Sequence, residues 1–179
     1  VVLLLGFSVN TFAVEEKGEL NNLYLTLPIK RTTIVTGRYM LSFILMLCGI
    51  LLGLIIGPLA NRYALSKWYI GINGYIAVIS ISYLLYAILN LFIYPILFWL
   101  GYQKGKFWGF YLPVIFFSVL FSSFLALSYL PEHNTLMLDI IVYATEHLYM
   151  VVGIVSACAT AILIISYLIS LKVYSRRNF

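Results

Sequence analysis

Glu15 and Glu16 are adjacent carboxylates, and a pair of that kind can divide acid and base roles in hydrolysis. A hydrolase built on them inside a membrane also needs histidines in later spans. The chain has two, His133 and His147, and both fall in a polar stretch between apolar runs. Glu132-His133, Asp139 and Glu146-His147 carry metal-ligand side chains without the close spacing that holds an ion, so solvated loop residues are the simpler reading. Cys48 and Cys158 sit alone in apolar runs and read as small packing residues. The HExxH, GxSxG and GxxxxGK[ST] signatures are all absent. The sequence therefore predicts no catalytic residue, no metal and no cofactor in this chain, and excludes it as an ATPase by itself.

The elements that carry these residues are set by composition. The 179 residues are 63% hydrophobic and 9% charged, against roughly 25% charged in soluble domains. Tyr39 to Gly57 and Trp108 to Leu130 are nearly continuous apolar runs, unlike the alternating ten-residue segments of outer-membrane barrels. The fold expected is an all-α, polytopic transmembrane domain occupying 1–179 as one unit. Spans are expected at Val1 to Val14, Tyr39 to Gly57, Tyr69 to Leu100, Trp108 to Tyr129 and Tyr149 to Leu171. The first is too short to cross about 30 Å at 1.5 Å per residue, which leads us to expect that its start and one earlier span are missing, for six in all. In the long third segment, Gly71 and Gly74 predict an interfacial start and Pro95 a local kink.

Charge sets the expected orientation. The first loop (Lys17, Lys30, Arg31, Arg38), the third (Lys104, Lys106) and the tail (Lys172, Arg176, Arg177) hold nine of the eleven basic residues. The second loop holds Arg62 and Lys67; the fourth holds only acids, Glu132, Asp139 and Glu146. The positive-inside rule places the first group and the C-terminus in the cytoplasm. The net charge of +5 thus reflects topology and anionic lipid rather than nucleic acid. Leu136 to Ala144, too short to cross, predicts a re-entrant or interfacial helix on the outer side.

Residues 15–37 form the loop of greatest interest. Leu20, Leu23, Tyr24 and Leu27 recur at i, i+3, i+4 and i+7, an apolar stripe on a short helix that Pro28 ends. Thr32 or Thr33 is expected to cap the helix that follows. With Glu15, Glu16 and Glu19 on its flank, the stripe suits a groove on a cytoplasmic protein better than anionic headgroups. Small residues at spacings of four, Gly49, Gly53 and Gly57 and then Gly153, Ala157 and Ala161, predict close packing faces. Either set could serve as ordinary helix packing or as a dimer seam. Asn90, Ser118, Ser122 and Ser123 are candidates to line a path, or to bond neighbouring helices. No span carries a central charge, which argues against an ion-driven carrier.

The run Phe12-Ala13-Val14-Glu15-Glu16-Lys17-Gly18, followed by Thr26-Leu27-Pro28-Ile29-Lys30-Arg31-Thr32, Ile34-Val35 and Arg38-Tyr39, resembles the type-2 membrane permeases of bacterial ABC exporters. Lys30 departs from the pattern, standing where a small hydroxyl residue is common. The chain looks most similar to the small Gram-positive permeases that export amphipathic cytolytic peptides, the phenol-soluble modulin exporters. This resemblance implies a six-span subunit of the bacterial plasma membrane, paired with an identical or related permease. Its coupling helix would dock on an ABC ATPase, which supplies the ATP and Mg. It carries Glu19, Leu20, Leu23, Tyr24, Leu27 and Pro28 over as ATPase contacts, with Glu15, Glu16, Lys30 and Arg31 at the ends of the same loop. The expected activity is export of hydrophobic or amphipathic cargo, such as peptide toxins or antimicrobial peptides. The competing readings are a non-transporting scaffold or immunity protein, and an intramembrane hydrolase.

Overall fold

A computed structural model describes residues 2–18, 30–63, 71–128, 142–143 and 145–176. Every element among them is helical: α1 (Val2–Lys17), α2 (Arg31–Tyr63), α3 (Ile72–Gly105), a π-helical segment (Lys106–Tyr111), α4 (Leu112–Ser128) and α5 (Leu148–Arg176). Three stretches are long and apolar enough to cross a membrane: Thr32–Leu59, Ile72–Leu120 and Leu148–Arg176. Leucines and isoleucines along the outer faces of α2 and α5, including Leu51, Ile55, Ile164 and Leu168, are exposed. Water would not tolerate such faces, whereas lipid is their natural solvent.

The 49 residues of Ile72–Leu120 would reach about 74 Å if straight, far more than a bilayer needs. The chain turns back on one residue. Gly101 has φ 77 and ψ 178, a conformation open in practice only to glycine because a Cβ would clash with the backbone. The first arm, 72–100, ends there. The second starts at once, with the Lys106 amide donating to the Tyr102 carbonyl. Pro95 lies in the first arm without a departure from helical dihedrals; the break expected at Pro95 falls instead at Gly101. Proline keeps a helix-compatible φ and forfeits one backbone bond, a loss that tertiary packing around Tyr94, Leu97 and Phe98 offsets.

The second arm lies close along the first because two of its residues lack side chains. A Cβ on Gly105 would come within 3.3 Å of the Leu97 Cα, and one on Gly109 within 3.3 Å of the Ile93 carbonyl oxygen. The π-helical turn over Lys106–Tyr111 re-aims the arm before α4 continues.

The first arm of α3 is the centre of the bundle and packs most extensively on α5. Its buried residues Tyr86, Leu89, Ile93, Tyr94, Leu97 and Phe98 repeat at three and four, and they meet Leu5, Val9 and Phe12 of α1, Val35 and Met46 of α2 and Tyr174 of α5 in one core. α2 begins at Arg31, earlier than the expected caps: the Thr33 amide donates to the Lys30 carbonyl, and Thr36 returns its hydroxyl to the Thr32 carbonyl.

Candidate coupling site

The end of α1, the start of α2, the Gly101 turn and the end of α5 meet at one end of the bundle. The aromatic floor there comes from α1, α3 and α5: Phe12 packs edge-on to Phe98 at 5.2 Å between centroids, and Phe98 to Tyr174 at 5.2 Å. Lys17, Lys30, Lys104, Lys106 and Lys172 belong to the same helix ends.

Two carboxylates stand on this floor with different partners. Glu15 forms an ion pair with Arg38 of α2, the two side chains only 13% and 12% exposed. The Arg38 guanidinium also lies 4.6 Å over the Phe12 ring and donates to the Thr11 carbonyl. Stacking and pairing use the planar, weakly hydrated guanidinium in a way that a lysine could not reproduce. Glu16 reaches in another direction, its Oε2 accepting the backbone amides of Tyr102 at 2.8 Å and Gln103 at 3.1 Å. These are the first amides of the second arm, donors without intrahelical partners. Gly101, in the cap position, has no side chain to serve them. The negative charge also suits the positive end of a helix. Glu15, Glu16, Phe12, Ile34, Gly101 and Tyr102 help line a cavity of about 160 Å³ at this end.

Behind the charges runs a layer of hydroxyls. Ser8 of α1 bonds the Tyr94 hydroxyl, which also donates to the Arg38 carbonyl. Tyr39 meets Ser166 and Ser170 of α5 at 2.7 and 2.8 Å, and Ser42 meets Tyr86 at 2.9 Å. Ser166 also donates to the Asn90 carbonyl. Asn90 is fully buried; its side-chain amide donates to the Tyr86 carbonyl, and its Oδ1 has no partner among the described residues. Such cross-helix bonds give α1, α2, α3 and α5 fixed partners in a solvent that offers none.

The expected site residues are distributed unevenly around this cluster. Glu15 and Glu16 lie in it and turn inward, Lys30 is exposed just before α2, and Arg31 is the first residue of α2. Glu19, Leu20, Leu23, Tyr24, Leu27 and Pro28 fall outside the described residues, as do Glu132, His133 and Asp139 and most of the expected outer helix. Glu146 and His147 are exposed, and no group of metal-ligating side chains forms among the described residues. Cys48 and Cys158 are free and exposed rather than packed.

Gly49, Gly53 and Gly57 face α3 of the same chain, lining with Tyr75 and Ser82 a cavity of about 300 Å³. The Tyr75 ring stands 3.1 Å from where a Gly57 Cβ would be. A Cβ on Gly53 would meet nothing within 4 Å, and the same holds for Gly153, with Ala157 and Ala161 exposed beside it. The four pathway candidates do not converge. Asn90 is packed toward α5, while Ser118, Ser122 and Ser123 are exposed on α4, where Ser118 and Ser123 return their hydroxyls to carbonyls of their own helix.

Gly101, Gly105 and Gly109, which shape the turn beside this cluster, were not among the expected residues. Their spacing of four was the available signal.

Compared with known proteins, the chain matches over residues 1–175 the family described as ABC-2 family transporter protein. No curated protein and no solved structure matches it.

Proposed function

The chain belongs to the ABC-2 family of transporter proteins, which makes it a multi-pass membrane permease subunit of an ABC transporter rather than its ATPase, and from that premise we propose that the 15–37 loop is its coupling element. In this reading the loop docks on a cytoplasmic ABC ATPase subunit, and ATP-driven closure of paired ATPases rocks a pair of permeases. The observation that carries the proposal is the way both ends of the loop are anchored. Glu15 at its start pairs with Arg38 beyond its end, and Glu16 reaches the second arm of the hairpin. A push on a loop held in this way moves helices, whereas a free loop would simply bend.

We further propose four full crossing segments in the given chain, α2, the two arms of the hairpin and α5, with α1 as part of a fifth. The helix ends rich in lysine and arginine face the cytoplasm, by the positive-inside rule, in the plasma membrane of a bacterium. An apolar, aromatic-rich interior suits hydrophobic or amphipathic cargo, peptides included, moving outward.

Co-purification in detergent with the ATPase encoded beside this chain tests the proposal. Wild type retains the ATPase, and Leu23→Asp and Leu27→Asp, which place a charge in the apolar stripe, each lose it while the permease stays folded. Equal retention by all three would remove the coupling role from the loop.

A further inference from the structure

We propose that Glu16 is a positioning residue that latches the second arm of the hairpin to α1, so that a displacement of the α1 end, where the 15–37 loop begins, is delivered to α4. The inference rests on the coupling role proposed above and assigns the route by which motion leaves the loop.

Three features of the geometry support it. The acceptor for the Tyr102 and Gln103 amides comes from a residue 86 positions away, although helix starts usually draw this bond from a Ser, Thr, Asp or Asn of their own chain segment. The turn that it meets pivots at Gly101, φ 77, and the arm beyond it is held against the first by the Gly105 and Gly109 contacts. Glu16 also directly follows Glu15, whose partner Arg38 belongs to α2. The Arg38–Glu15 ion pair and the Glu16 bonds to the Tyr102 and Gln103 amides thus sit on consecutive residues of α1, which ties α2 and the second arm to the same helix end.

A carboxylate on two backbone amides suits a latch. The bonds are charge-assisted, and they hold the main chain of the arm rather than a side chain that could turn away. Reach is the critical property: glutamine keeps an acceptor at the same distance, aspartate falls a methylene short, and alanine removes it.

Hydrogen exchange of the full chain in complex with its ATPase in lipid nanodiscs, with and without a non-hydrolysable ATP analogue, tests the proposal. In wild type the nucleotide changes exchange at both 19–29 and 102–106. In Glu16→Ala the response at 19–29 persists and that at 102–106 is lost, while the resting amides of Tyr102 and Gln103 exchange about tenfold faster. Glu16→Gln restores the wild-type pattern. Glu16→Asp behaves as the alanine variant and serves where alanine does not fold. A nucleotide response at 102–106 that survives in the alanine or aspartate variant overturns the latch. A wild type with no response at 19–29 overturns the coupling role, and the latch with it.

Discussion

Arg38 shows how one residue joins what the chain keeps apart. It pairs with Glu15, covers Phe12 and bonds a carbonyl of α1, in a setting only 12% exposed. Removing one member of so buried a pair leaves the other charge without its counter-ion, which costs on the order of 3 kcal/mol. Thermal unfolding in detergent should therefore show Arg38→Ala and Glu15→Ala each clearly destabilised. The double variant should be much less unstable than the sum of the two, because the second deletion removes the stranded charge. Additive losses would mean that the two side chains stabilise the bundle independently. Glu15 and Glu16 were legible as paired carboxylates at the start of the loop, but their partners within the chain were not. Arg38 could be found as an opposite charge at the far end of the same loop. The Tyr102 and Gln103 amides could not, since backbone donors carry no sequence signature.

Among the elements, the hairpin of 72–128 makes the sharpest demand on residue type. Its apolar runs were readable because each is at least as long as a bilayer is thick. Its turn was not: the two lysines at 104 and 106 suggested a loop, and Pro95 suggested the bend. The second arm instead starts one residue after Gly101, and the close approach of the arms depends on Gly105 and Gly109. Gly109→Leu should force the arms apart and cost about 1–3 kcal/mol, as overpacking does, measured as a lowered thermal midpoint. Gly153→Leu, which meets nothing within 4 Å, should leave the midpoint of the single chain unchanged. Equal effects at the two positions would contradict the packing described. The two small-residue stripes looked alike as spacing, and only the fold separates them: Gly49, Gly53 and Gly57 face α3 of their own chain, and Gly153, Ala157 and Ala161 face outward. Helical spacing identifies a face without saying what lies opposite it.

For the whole molecule, one end collects the end of α1, the start of α2, the charged contacts and the hairpin turn, and the family to which the chain belongs works with an ABC ATPase subunit. A permease subunit driven by a separate ATPase receives work through a surface, and the 15–37 loop proposed for that surface has flanks tied to three helices. Site-specific photo-crosslinking in native membranes tests this most directly, with the photoreactive residue placed in turn at Leu23 and at Ile72, near the opposite end of the bundle. The account predicts an adduct with the ATPase from Leu23 and none from Ile72. An ATPase adduct from Ile72 alone, or from neither position in membranes where the ATPase is present, would contradict it.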